Sequence, residues 1–433
     1  MKVYKRYADQ LDTLLDELQW GNRLQLLQTE VQESLNGGAA AALRQLAKPA
    51  SISRAGAYFT GERLAGFAVG PVTRRRGVLR RPVYDPTCGA GDLLLRWADD
   101  LPMCSDLCET VARWEPLITG QDIFPEFIRV ARRRLVLKAI QRGARLGTAR
   151  TPQVDRMFGG LRPGDARASV RGTRALTLAM NPPFTMVSAP KTCEWASGKV
   201  SLAAILFERC LIQAAQSTRV VAILPDVLRT GSRYNRWRDS VAKRLRVERV
   251  EPYGRFDRHA DVDVFIIEGV VTDQKAADVA WWSGGEVSEE HTLGEVAEVS
   301  VGAVVPHRHA ELGPRAPFAT SRSLPSWERV TRITTHRRFQ GTKVEPPFVA
   351  VRRTSSPGDP QRGVGSIVTV DEPVAVENHL LVLKPRSGTI KSCEFILENL
   401  RNPRTREWLN DRIRCRHLTV SSLRELPIWE EIP

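Results

Sequence analysis

The chain has 433 residues, 42% of them hydrophobic and 26% charged, enough for two to three domains with buried cores and ordinary for a soluble globular protein. A formal charge of +15, carried mostly by arginine, points to a nucleic acid partner, because the fixed guanidinium fork suits phosphate. Met1 to Gln10 has no apolar h-region and no run of about 18 apolar residues occurs, so a membrane protein is excluded and a cytoplasmic location is expected.

Seven scattered cysteines read as reduced thiols. Cys104 and Cys108 could share a helix face, but no second ligand pair follows, and His307 and His309 lack partners, so no metal site is expected.

From the start, Asp9 to Leu35 repeats leucine at helical spacing and ends near Gly37-Gly38; a further helix over Ala39 to Ala47 stops at Pro49. Arg54-Ala55-Gly56-Ala57-Tyr58-Phe59-Thr60 follows, with aromatics between a glycine and a helix-capping threonine that could close over a flat ligand. Beyond the basic run Arg74 to Arg81, Pro82-Val83-Tyr84 leads into Asp85-Pro86-Thr87-Cys88-Gly89-Ala90-Gly91-Asp92 and a helix at Leu93-Leu94-Leu95. Strand, glycine turn and helix open a doubly wound unit, and the glycines let backbone approach a ligand closely. The spacing is not GxGxxG, which disfavours nicotinamide cofactors; an acid opening the loop suits a ligand with an amino or sulfonium cation.

Leu117 to Ile123 predicts the second strand, with Asp122 at its carboxyl end, placed to accept ribose hydroxyls. Pro125 opens a long helix to Gln141. Leu161 to Asp165 can end a third strand; Asp165 is preferred over its rival Asp155 as an acid that bonds an adenine amino group. The apolar run Ala175 to Met180 reads as a buried strand running into Asn181-Pro182-Pro183-Phe184. Two prolines end the ladder and stiffen the turn, so the Asn181 side chain and a proline carbonyl can present fixed acceptors, with Phe184 as a flat apolar face. That combination suits a planar amino group. Its lone pair is delocalised into the ring and is freed only when both N–H hydrogens are accepted. A helix from Ser201 to Ala215, a strand Arg219 to Pro225, a helix near Tyr234 to Arg244 and two strands, Val247 to Tyr253 and Val262 to Val271, predict a largely parallel sheet with a final antiparallel hairpin.

These residues, from about Arg54 to Val271, resemble the gamma-class adenine DNA methyltransferases of type I modification subunits and type IIG enzymes. Ala57-Tyr58-Phe59-Thr60 resembles the motif before the first strand, Asp85 to Gly91 the S-adenosylmethionine loop, and Asn181-Pro182-Pro183-Phe184 the catalytic motif. The resemblance implies cofactor binding by Tyr58, Phe59, Thr60, Asp85, Pro86, Thr87, Cys88, Gly89, Gly91, Asp122, Ile123 and Asp165. It implies catalysis by Asn181, Pro182, Pro183 and Phe184, with Phe184 and Phe256 stacking on a flipped adenine. Gly61 stands where the family commonly has proline.

From about His291 the chain resembles a target-recognition half of a type I specificity subunit, in Thr292 to Val299, Val376 to Leu383, Arg414 to Thr419 and Leu423 to Ile428. Arg352, Arg353 and Arg416 are expected to contact DNA, and the loop from Arg352 to Gly365 to carry arginines to phosphates or guanine edges. The expected architecture is α/β: a helical segment over 1–50, a Rossmann-like S-adenosylmethionine-dependent methyltransferase domain over 51–285, and a mixed α/β target-recognition domain over 286–433, with double-stranded DNA in a basic cleft between the last two. The implied protein is a monomer or homodimer without a nuclease of its own, paired with a separate restriction nuclease or defence-system subunit. The alternatives are methylation of RNA or of protein glutamine, and a non-catalytic DNA-binding subunit.

Overall fold

The computed structural model describes residues 2–19, 26–145, 154–168, 177–257, 259–260, 262–273, 279, 281, 291–355, 359, 362–413 and 417–429. Two compact units result, one of residues 1–229 and 233–281, the other of 230–232 and 282–433. The expected boundary near residue 285 lies outside the described residues.

In the first unit α1 (Lys5–Gln19), α2 (Gln28–Leu35), α3 (Gly38–Leu46) and α4 (Pro49–Ala55) come first. Leu11 and Leu15 of α1 and Val31 of α2 are buried in the same core as the later elements, and Tyr4 meets Phe127 edge-on with ring centroids 5.1 Å apart. The segment 1–50 is therefore part of this unit's core and not an appendage. Pro49 was expected only to stop a helix. It also starts α4, where its missing N–H costs nothing.

Then α5 (Gly61–Thr73) leads into β1 (Val83–Asp85), α6 (Asp92–Ala98), α7 (Leu107–Trp114), β2 (Ile118–Asp122), α8 (Pro125–Gln141), β3 (Leu161–Pro163) and β4 (Thr177–Met180). A small antiparallel hairpin, β5 (Met186–Ser188) and β6 (Lys199–Ser201), precedes α9 (Leu202–Gln213), β7 (Arg219–Pro225), α10 (Asp226–Thr230), α11 (Asn235–Ala242), β8 (Leu245–Arg255) and β9 (Asp263–Val271). The seven-stranded sheet runs β3-β2-β1-β4-β7-β9-β8, parallel except that β9 is antiparallel to both of its neighbours. Central strands covered on both faces read as continuous apolar runs, as Val220 to Leu224 does, all buried. The chain builds outward from β1 to β3 and then crosses back to β4, so the strand order switches between β1 and β4. Open α/β sheets leave a crevice at the carboxyl ends of the strands at such a point.

Cys104 and Cys108 do not share a helix face. Asp106 between them caps α7, so Cys104 lies in the preceding loop and Cys108 on the exposed first turn. Among the described residues no cluster suited to a metal ion exists, and no helix is long and apolar enough to cross a membrane.

The second unit contains α12 (Leu293–Val296), β10 (Ala297–Val301), β11 (Arg315–Ala319), β12 (Arg329–Val330), β13 (His336–Arg338), β14 (Phe348–Arg352), β15 (Gly365–Val368), β16 (Ala375–Val376), β17 (Leu380–Pro385), α13 (Ile390–Arg401), α14 (Pro403–Arg412) and α15 (Val420–Arg424). Its sheets are ordered β10-β17-β14-β15-β12 and β13-β11-β16. The two ends of the unit meet: Leu293 N–H donates to Leu426 O and Ile428 N–H to His291 O. Arg362 is not the exposed phosphate contact expected of its loop. It is 2% exposed and donates to the Ile413 carbonyl, a cross-tie within the core.

Candidate active site

At the β1–β4 switch point a cavity of about 310 Å³ opens. Its walls include Tyr58, Phe59, Thr60, Asp85, Pro86, Thr87, Cys88, Gly89, Asp122, Ile123, Asp165, Asn181 and Pro183, drawn from five separate stretches of sequence. Gly91, Pro182 and Phe184 are absent from this lining. Gly91 serves packing instead: at φ +87° it lets α6 begin with no Cβ, and a Cβ there would lie 3.2 Å from that of Ala131 in α8.

The carboxylates at the floor are unusual. Asp85, buried at the end of β1, accepts from Thr87 N–H at 2.9 Å and has no cation beside it; burial pushes its pKa up to about 8. Asp122, at the end of β2, accepts from Gly89 N–H at 3.0 Å and from Phe124 N–H at 2.9 Å, and burial pushes it up to about 6. Asp122 is therefore not a plain helix cap. It clamps the glycine loop to the second strand, with no side-chain cation bound to it. Above them, Gly89 at φ +51° brings bare backbone under Phe59, where a Cβ would meet the ring at 3.0 Å. Ile123 exposes half its surface at the cavity wall, an apolar face for a flat ring.

Asp165 and Asp155 differ sharply. Asp165 follows β3 and lines the cavity, bound through both oxygens to Arg167, which holds its carboxyl below the ordinary range. Asp155 lies outside the lining and pairs with Arg133, at 2.9 Å, which also binds Asp12 of α1. Its pKa is lowered by that partnership.

Asn181 follows β4 directly. Its Nδ2 donates to Thr60 Oγ1 at 2.9 Å, and its Oδ1 is buried with no hydrogen-bond partner. An unsatisfied buried acceptor costs about 1–3 kcal/mol, so such a group in a cavity wall is an invitation to a donor. Thr60 was expected to cap α5, and its side chain does not; Gly61 N–H is taken instead by Asp92 Oδ2 at 2.9 Å. Gly61 stands at φ +71°, a conformation that the family's proline could not adopt and a donor that proline lacks. Asp92 is held in turn by buried Arg134, which also donates to Ala90 O, Ser34 O and Leu35 O. Sequence reasoning missed this brace, since an arginine inside an amphipathic pattern gives no sign that it points inward.

The segment before α5 also presses on the proline turn: a Cβ at Gly56 would lie 2.6 Å from Pro183 Cβ. Phe184 and Phe256 meet edge to face with centroids 5.4 Å apart, and Phe256 is buried. In the second unit Arg352 and Arg353 each donate to a backbone carbonyl, of Leu324 and Asn378. Arg416 lies outside the described residues.

No protein-family model matches the sequence, and a search of curated proteins found no match. Solved structures do match. A modification subunit of a type I restriction enzyme from Vibrio vulnificus aligns at 16% identity over 53% of this chain and 47% of that one, with a TM-score of 0.39. This chain thus spans about half the length of that subunit. The type IIG restriction endonuclease BpuSI aligns at 13% identity over 90% of this chain and 61% of that one, with a TM-score of 0.45. The type IIL restriction-modification enzyme MmeI, solved in complex with DNA, aligns at 12% identity over 88% of this chain and 69% of that one, with a TM-score of 0.55. The last match speaks for the fold, and at that identity for the fold alone: this chain has the α/β architecture with a largely parallel sheet expected from its sequence, here of seven strands, and it shares that architecture with a restriction-modification enzyme.

Proposed function

We infer that this chain is a DNA methyltransferase that modifies the exocyclic N6 of adenine, using S-adenosylmethionine. The observation that carries the inference is Asn181, whose amide is anchored by Thr60 while its oxygen is left buried and unpaired in the cavity wall. An adenine amino group entering beside it would donate one N–H to Oδ1. The Pro182 carbonyl is the acceptor proposed for the other. With both hydrogens accepted, the nitrogen can pyramidalise, so that its lone pair leaves conjugation with the ring and becomes nucleophilic, and positive charge developing on nitrogen meets fixed acceptors. Phe184 and Phe256 are proposed to hold the base out of its stack.

The cavity's groups suit the cofactor. Asp85 and Asp122 offer carboxylate without competing cations, which matches an ammonium or sulfonium and a ribose diol, and Ile123 and Phe59 bound a flat ring. S-adenosylmethionine, when bound, supplies the electrophilic methyl group. The second unit is proposed as the target-recognition domain and double-stranded DNA as the substrate, supported by the +15 charge of the chain and by its fold likeness to MmeI. A separate nuclease or defence-system subunit is the proposed partner.

The test is Asn181→Ala. Cofactor affinity should stay within about twofold while methyl transfer falls by about 100-fold or more, the scale of losing one fixed electrostatic contact at the reacting atom. Retained turnover refutes the assignment. Methyl transfer by the wild-type chain to RNA or to a glutamine peptide, without transfer to DNA, favours the other acceptors.

A further inference from the structure

We propose that the outward face of the β11–β13 ribbon in the second unit is a phosphate-contacting surface for duplex DNA. The proposal rests on the inferred DNA substrate but concerns a different part of the molecule from the cavity.

Residues 329–343 contain Arg329, Arg332, Arg337, Arg338 and Lys343 and no acid. Over 336–340 their burial alternates: Arg337 is half-buried and Phe339 buried, while His336, Arg338 and Gln340 are exposed; before it Ile333 is buried, and Arg332, Thr334 and Thr335 are exposed. On the inward side Arg337 pairs with Glu311 and donates to His309 O, next to Phe318. The exposed outward side chains are Arg332, Thr334, His336, Arg338 and Gln340, all able to donate and none acidic, while Pro317 across from His336 is buried. Across the ribbon Arg315 pairs in register with Arg338, and Pro317 with His336, so both arginines stand on the same face. Like charges directly opposite each other destabilise a sheet, yet no carboxylate among the described residues pairs with Arg315, Arg332 or Arg338. Arg338 has one main-chain acceptor, Gly313 O at 3.3 Å. A strand pair that bears this repulsion without a compensating acid gains most from a polyanion. Charges spaced along an extended segment match a row of backbone phosphates.

The test measures binding of random-sequence duplex DNA by the full-length chain across a salt series. The double variant Arg332→Ala/Arg338→Ala should give a log–log salt slope shallower by about 2, since each phosphate contact contributes about 0.9. The control Arg44→Ala/Arg113→Ala, two exposed arginines of the first unit, should leave the slope unchanged. Arg315→Gln should weaken DNA binding while its melting temperature stays level or rises, because it relieves the facing pair. An unchanged slope in the Arg332/Arg338 variant, an equal loss in the control, or a lowered melting temperature for Arg315→Gln overturns the proposal and leaves the DNA reading standing. Wild-type chain that fails to bind duplex DNA overturns the DNA reading itself, and this proposal with it.

Discussion

The aspartates at the ends of β1 and β2 and those flanking β3 have the same chemistry and opposite circumstances. Asp85 is buried and Asp122 half-buried; both accept from backbone N–H groups, neither is paired with an arginine, and both sit well above the ordinary carboxylate value. Asp155 and Asp165 are more exposed, each is matched to an arginine, and both sit below it. A carboxylate already paired has little to offer a cationic ligand, whereas one buried without a partner gains a great deal from it. The difference separates Asp85 and Asp122, which no arginine engages at the cavity floor, from Asp155, which ties α8 toward α1 through Arg133, and Asp165, which lines the cavity already bound to Arg167.

The strongest way to break that contrast is at Asp122. Asp122→Ala removes both the loop clamp and the proposed ribose acceptor, and S-adenosylmethionine affinity measured by calorimetry should drop by about 100-fold, near 2–3 kcal/mol for hydrogen bonds to a charged group. A loss below threefold would mean that the acid is only structural.

Thr60 sharpens the contrast on the substrate side. Thr60→Val should lower methyl transfer by about tenfold or more with cofactor affinity within a few-fold, because Asn181 Nδ2 loses its anchor and the amide can turn. Thr60→Ser, which keeps the hydroxyl, should restore most of the rate. Failure of serine to rescue would assign Thr60 to packing instead.

The raised pair also sets a pH dependence. Asp85 and Asp122 have folded values near 8 and 6, above the ordinary 3.8. Without ligand, the stability they contribute is fully present below about pH 4 and is lost as pH rises through about 6 and then about 8. A bound cation favours the ionised forms, so the melting-temperature gain from S-adenosylmethionine should widen between about pH 5.5 and about pH 8.5, with protons released on binding. A gain independent of pH would place the ligand's charge away from these acids.

The smallest effect belongs to Asp155. Asp155→Asn should leave cofactor affinity unchanged and cost about 1 kcal/mol or less of stability, as expected for a pair more than half exposed on its acidic side.

Much of this was legible in the sequence. Runs such as Val220 to Leu224 mark strands covered on both faces, and glycine spacing after Val83-Tyr84 marks the loop, because each pattern has one physical cause. Asp165, preferred over Asp155 as the adenine-bonding acid because it follows a short strand, lines the cavity, whereas Asp155 does not. What was not legible depends on partners distant in sequence. Arg134 and Arg362 are buried by carbonyls contributed from elsewhere, and Thr60 gives up its capping role for an amide 121 residues away. Cys104 and Cys108 looked like a helical pair until Asp106 proved to start the helix between them.

The most direct test of the central claim is long-read sequencing of DNA from a methylation-free host expressing this chain alone, scored for modified adenine, beside the same host expressing Asn181→Ala. The account predicts N6-methyladenine at one defined sequence motif with the wild-type chain and none with the variant. Unmodified DNA from a host in which the chain is expressed and binds S-adenosylmethionine would contradict it.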